Sequence, residues 1–424
     1  MRFVQAVAAA YLLLLVGFVA GAFVVQTRVW PFLYIRDIYR FVQGYRDEHT
    51  SIFQKLMSDT GVRPDRFLHR YTPDSSENFH PVDGLPLANR RIAPVITAAP
   101  NNRPGYIYIV GKFDFADAMN GVLLMTTEGR LVRYWKIPDR ELKDGHHHLF
   151  AFRHDGSFFS AADYGPIYHI DACGQWLGSI HGEFHHAIEP LDEDRYYVAG
   201  SAGNKDAFSL VNVKTMTIER TVPLAQVHNA ADPELGIFGL WITRQEDTED
   251  TWHINDVEPF PATAKSDRFK PGDLLISYRH SDLVYVIDPN TLQLKWWTQA
   301  YTSGQHDPDW QPDGTITVYN NRLYKKQHYS TIVRYDLTSA KPQTIFDGKK
   351  YSFYGSIGGK HTIMDDGSLL LSSYDQGRAL WVDKDGRILF DFVNRYSPTE
   401  ALIVLDAGYL PPDYFGKDGL PSCN

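Results

Sequence analysis

Residues 272–297 read "GDLLISYRHSDLVYVIDPNTLQLKWW". Three runs of aliphatic, β-branched and aromatic residues are separated by "RHSD" and "DPNT", which are turn-forming segments. Runs of five or six residues are too short for helices and suit strands. The stretch therefore reads as three antiparallel strands in a row. The triplet recurs in both directions. Counterparts of its first strand are "GSFFSAA" (156–162), "RYYVAGSA" (195–202), "GTITVYNN" (314–321) and "GSLLLSSY" (367–374). Second strands follow in "PIYHIDA" (166–172), "FSLVNVK" (208–214), "TIVRYDL" (331–337) and "ALWVDKDG" (379–386). Third strands follow in "QWLGSI" (175–180), "TIERTV" (217–222), "PQTIFD" (342–347) and "RILFDF" (387–392). A partial unit reads "YIYIVGKF", "GVLLMTTEG" and "RLVRYWKI" (106–113, 121–129, 130–137).

Ahead of each triplet stands one more strand, opening near a histidine. "GQHDPDWQPDG" (304–314) places His306 seven residues before Asp313, and "HLFAFRHDG" (148–156) places His148 seven before Asp155. His185, the first of a doubled pair, stands seven before Asp192. His253 precedes a longer loop, and His361 stands five before Asp366. Four strands per unit and six units of about 50 residues describe an all-β, six-bladed β-propeller over residues 105–400. A β-sandwich with regular turns is the competing reading. The first unit lacks an innermost strand, which either "RIAPVI" (91–96) or "ALIVLDA" (401–407, in the tail 401–424) would supply.

The bulk numbers agree with a strand-rich chain. Its 424 residues include 25 Tyr, 24 Phe, 32 Gly and 24 Pro, a mix that favours strands and turns. A net charge of −9 without a Lys/Arg run excludes nucleic acid as partner. Cys173 and Cys423 are the two cysteines, without the spacing of a zinc site; bridged and free states both remain open. Residues 4–25 form an apolar run broken by Gln5, long enough to span a bilayer as an anchor, or to act as a cleaved signal. Either role sends the rest of the chain out of the cytoplasm, periplasmic or extracellular. Residues 26–104 read as a juxtamembrane helix, with apolar residues at helical spacing over 31–57, and then an extended linker.

In a propeller the first strand of each blade lines the central channel, so His148, His185, His253 and His306 are expected on one ring. His361 is expected at another depth. Of the triple "HHH" at 146–148, alternation points His147 away from the face of His148. Asn255 stands two residues after His253, and Arg279 ends a strand of the same blade. Imidazoles suit transition metals, but a guanidinium beside them favours an oxyanion such as sulfate or phosphate.

"TWHINDVEPF" (251–260), the stretch 272–297, "GQHDPDWQPDGTITVYNN" (304–321) and "STIVRYDL" (330–337) resemble the bacterial arylsulfotransferase family, the PAPS-independent aryl-sulfate sulfotransferases. The similarity runs from about His146 to Ser397, and that family is a six-bladed propeller. The resemblance implies ping-pong transfer of a sulfuryl group from a phenolic sulfate to a phenol, without cofactor or metal. His306 is the implied nucleophile, forming a sulfohistidine. His148, His253 and Arg279 are the implied sulfate-binding groups, with Asn255 supporting the second histidine. The resemblance assigns no counterpart to the histidine of "KHTIMDDG"; His147 and His361 are further candidate substrate contacts from their place near the channel alone. The chain departs from the family in its N-terminal segment and in having no short-loop disulfide near His306. Two alternatives remain: a metal-dependent oxidoreductase or lyase built on the same histidines, and a non-catalytic binding propeller.

Overall fold

The computed structural model describes residues 68–70 and 79–423, apart from 89–92, 101–102, 116–117, 138–145, 232–235, 238–251, 324–327, 340 and 398–399. The expected anchor at 4–25 and helix over 31–57 lie outside the described residues. No helix among the described residues is long and apolar enough to cross a membrane.

The triplet that opened the sequence reading folds as the strands Leu274–Tyr278, Leu283–Ile287 and Leu294–Thr298, with Ile254–Pro259 ahead of them in a four-stranded antiparallel sheet. A second such sheet runs His306–Trp310, Ile316–Asn320, Thr331–Tyr335 and Gln343–Asp347. A seven-stranded sheet spans Leu149–Phe152 to Thr217–Pro223, and the 15-residue strand Trp176–Pro190 at its middle is shared by the strands on both sides. A six-stranded sheet carries His361–Ile363 at one edge. The arrangement is that of a β-propeller.

Two sequence expectations are corrected here. Val95–Ala98 pairs with Ile388–Val393 on the outer side of the six-stranded sheet, so "RIAPVI" does not supply an inner strand. With His80–Pro81 it extends that sheet, so this part of the expected linker is strand. Val404–Leu410 instead pairs with Tyr106–Lys112, and a strand from the end of the chain completes the first sheet.

Hydrophobic contact between neighbouring sheets builds the core. Phe260, Leu275 and Val284 of one sheet meet Trp310, Ile316 and Val318 of the next. Tyr319 and Ile332 meet Leu371 and Leu380 in the same way. The middle strands of this sheet are covered on both faces, so Leu274–Tyr278 and Leu283–Ile287 are buried throughout. Apolar area is used up between sheets, and the polar residues of the inner strands are left for the axis.

The seven-residue spacing is the length of an inner strand. His306 starts one at the channel, and Asp313 opens the turn at its far end, where its Oδ1 accepts the Thr315 N–H at 3.1 Å. Asp155 does the same for Ser157 at 2.9 Å. Gly314 and Gly156 follow at φ 78° and 82°, in the left-handed region that these turns require.

Cys173 and Cys423 form a disulfide that closes a loop of 250 residues. It pins the C-terminal tail beside the turn after Gly165–Ile170, where Arg133 also donates to Pro421 O at 2.7 Å. Chain-entropy arguments put such a long closed loop at up to about 5 kcal/mol. Reduction, or Cys173→Ser, is expected to lower the melting temperature by several degrees, read by calorimetry. An unchanged transition would show that the tail contributes nothing to closure.

Candidate functional site

Four inner strands carry an irregularity at the same level. The pairing register shifts between His185 and Ile188, Ile254 and Asp256, His306 and Pro308, and Val404 and Asp406. Such bulges re-aim side chains and concentrate beside functional sites. His186, His253 and Asp307, at φ 62°, 50° and 51°, hold left-handed backbone that costs energy for a residue with a side chain. The chain spends conformational energy to turn these groups towards the axis.

The result is a cluster of imidazoles. The His186 ring lies 4.9 Å from His148, 4.8 Å from His253 and 6.2 Å from His306, centre to centre. His280 stacks on His253 at 4.7 Å, and His146 lies 5.5 Å from His148. Three of the expected histidines, His148, His253 and His306, are thus brought together. The fourth position belongs to His186 and not to His185, whose Nε2 meets the Lys205 carbonyl at 3.4 Å. The doubled pair was the signal, but the bulge inverts which member faces inward.

The other expected residues divide. His147 is buried against Ser160, Nδ1 to Oγ 2.7 Å, and lines no part of the cluster. His361 uses both ring nitrogens, one with Asp307 and one with Thr317, each at 2.8 Å. It has no nitrogen left for a substrate. Asn255 does not support His253; its Nδ2 donates to the Gln305 carbonyl at 2.7 Å and fixes the residue before His306. The backbone N–H of Arg279 donates to the His253 carbonyl at 3.0 Å.

The tautomer of His306 follows from its neighbours. Asn321 donates through Nδ2 to Gly355 O at 2.7 Å and Gly358 O at 2.9 Å, so its Oδ1 is an acceptor. His306 Nδ1 meets that oxygen at 2.9 Å and must therefore carry the proton. The lone pair is left on Nε2, which is buried without a hydrogen-bond partner among the described residues. Burial, and next the charge of Arg279, hold its pKa well below the usual imidazole value. His306 is a neutral base with its lone pair free. Burial likewise lowers His186, reinforced by its imidazole neighbours. A small cavity of about 30 Å³ is lined by His148, His186, Asn255, His306, Tyr374 and Lys360, among others.

A larger cavity of about 870 Å³ reaches His148 and His186 and continues past Lys360, Glu189, Asp307 and Asp406. Lys360 Nζ lies 2.7 Å from Asp307 and 3.7 Å from Asp256. Burial raises Glu189 to about 7 and Asp406 to about 6. Burial also works against the charge of Asp307, but Lys360 and His361 outweigh it and hold it at about 2. Neither Lys360 nor these carboxylates stood out in the sequence. For Glu189 the folded value exceeds the unfolded one, near 4.3. Its contribution to stability is present below the unfolded value and is lost as pH rises through about 7. The melting temperature is expected to fall between pH 5 and 8, and Glu189→Gln to flatten that fall; equal slopes would contradict the assignment.

Fold and site together define a β-propeller with a polar, histidine-lined axis. Residues 223–395 match the family model of the arylsulfotransferases (ASST). The match bears out the resemblance carried by the motifs and takes in His253, Asn255, Arg279, His306 and His361. No curated protein matches the chain. Among solved structures, a protein of unknown function from Bacteroides caccae is similar at 12% identity and TM-score 0.44, over 68% of this chain and 93% of that one. Virginiamycin B lyase from Staphylococcus aureus is similar at 11% identity and TM-score 0.36, over 59% of this chain and 70% of that one.

Proposed function

We propose that the protein is an arylsulfotransferase-type enzyme, working as a six-bladed propeller, that moves a sulfuryl group from a phenolic sulfate to a phenol. The blade count takes the seven-stranded sheet as two blades sharing Trp176–Pro190. The observation that carries the reading is the unpartnered Nε2 of a buried, neutral His306. A lone pair so held can attack the sulfur of an aryl sulfate. The S–N bond forms as the S–O(aryl) bond breaks, and the phenolate leaves and takes a proton. An acceptor phenol then attacks the sulfur, breaking S–N and giving its proton to the site. Arg279, His148 and His253 hold the sulfate oxygens, and each such donor is worth about 10²–10³ in rate. His186 at the centre of the cluster positions them, its two ring nitrogens meeting His185 at 3.0 Å and His253 at 3.3 Å.

Export and a membrane anchor at 4–25 are part of the same proposal. The Cys173–Cys423 disulfide supports an oxidising compartment. The reading is tested with 4-nitrophenyl sulfate as donor. Nitrophenolate release that depends on a phenol acceptor is expected. Release without transfer to any phenol, or none from folded protein, would overturn it.

A further inference from the structure

The small cavity at His306 and the larger one beyond it share four lining residues, His148, His186, Asp307 and Lys360. These four stand between the chamber of the nucleophile and a space that is open to water. At the turn end of the inner strands that space is rimmed by His154, Asp155, Asp192 and Glu193, all exposed. Each of the four dividing residues is tied in place. His148 pairs with Asp163 at 3.0 Å, and His186 meets His185 at 3.0 Å and His253 at 3.3 Å. Asp307 holds His361 at 2.8 Å through one oxygen and Lys360 Nζ at 2.7 Å through the other. Asp256 and Glu189 flank the same ammonium at 3.7 Å and 3.9 Å. The Lys360 N–H donates to Ser372 Oγ at 2.9 Å, so the backbone beneath the side chain is pinned as well.

We infer that Lys360, clasped by Asp307, closes the inner end of the nucleophile chamber and sets the choice of acceptor, keeping channel water from the sulfuryl group on His306. The inference rests on the sulfuryl-transfer reading and says why the protein would be a transferase and not a sulfatase. A reactive covalent intermediate survives where the site shuts water out. Water attacking the sulfur would form an S–O bond as S–N breaks, returning the electron pair to Nε2. Hydrogen sulfate would leave, and the second proton of the water would pass to a base. Glu189 and Asp406 line the larger cavity and supply such bases to any water standing there.

The phenol has another way in. Ile357 lines the His306 chamber with its side chain 43% exposed, and so marks a mouth away from the larger cavity. Along the larger cavity carboxylates outnumber Arg153 and Lys360, which turns an aryl sulfate anion away but not water. Lysine suits the partition. Its aliphatic stem fills the passage, while the ammonium answers carboxylates that would otherwise draw water inward.

The test uses the full chain with 4-nitrophenyl sulfate, comparing wild type, Lys360→Met and Lys360→Arg. Without a phenol, wild type is expected to release one equivalent of nitrophenolate and then stop. Lys360→Met is expected to continue, with inorganic sulfate appearing at least tenfold faster than in wild type. With a phenol present, its ratio of transfer to hydrolysis should fall at least tenfold, and Lys360→Arg should restore both. Lys360→Gln replaces the methionine variant if circular dichroism shows that the latter is unfolded. A merely structural ion pair would lower transfer and hydrolysis together. Loss of activity with an unchanged ratio, or sulfate release equal to wild type in a folded variant, would overturn the inference. Diethyl pyrocarbonate, which acylates neutral imidazole, gives a readout that needs no turnover. His306, followed by mass spectrometry, should be labelled at least fivefold faster in Lys360→Met than in wild type, and equal rates would overturn the closure. No nitrophenolate from folded wild type, with that difference in labelling present, would remove the sulfuryl-transfer reading and leave the closure standing.

Discussion

His306→Ala is expected to reduce sulfuryl transfer by on the order of 10⁴-fold or more, the scale seen when a covalent nucleophile is removed. No neighbouring group can take its place. His186 lies 6.2 Å away ring to ring, and its Nδ1 and Nε2 already meet His185 at 3.0 Å and His253 at 3.3 Å. The variant should stay folded. His306 sits at the end of its strand, and the sheet contacts of Ile316 and Val318 beyond it are untouched. Steady-state rates with a phenol acceptor, beside melting curves of both proteins, give the measurement. Turnover within tenfold of wild type would remove His306 from the mechanism.

The second large effect is expected at Asn321, a positioning residue. Its Oδ1 is the acceptor that keeps the His306 proton on Nδ1, and its Nδ2 bonds to Gly355 O and Gly358 O fix which way the amide faces. Asn321→Ala frees the imidazole to place its proton on Nε2, where it blocks attack. A wrong histidine tautomer costs up to about 10⁴ in a catalytic triad; here, with the ring still buried, a loss on the order of 10² in kcat is expected. Nitrogen-15 NMR of the ring distinguishes this from general damage. Wild type should show a single tautomer protonated at Nδ1, and the variant a mixture. An unchanged tautomer with lowered kcat would assign Asn321 a merely structural role.

The repeating triplets were legible because their signals are local. Asp-Gly turns, such as Asp313-Gly314 with the Asp Oδ1 bonded to Thr315, act within four residues, and so does a run such as Leu283–Ile287. The ring of histidines was legible because a constant spacing from those turns fixes a constant height. What alternation could not supply was the bulge. It displaced His185 in favour of His186, and it sent Asn255 across to Gln305 and away from His253. The partners that matter most at the site are long-range. Asn321 comes from the end of the next strand and Lys360 from another sheet, and each reads in sequence as an ordinary polar residue. The carboxylates at or beside the bulges, Glu189, Asp256, Asp307 and Asp406, likewise look like surface acids until the inner strands converge.

The central claim is that His306 Nε2 takes the sulfuryl group. Protein incubated with 4-nitrophenyl sulfate and no acceptor, then digested and read by mass spectrometry under alkaline conditions, tests it directly. The account predicts a peptide containing His306 heavier by one sulfuryl group, and loss of that adduct when a phenol is added. Acceptor-dependent turnover with no adduct at His306, or with the adduct on another residue, would contradict it.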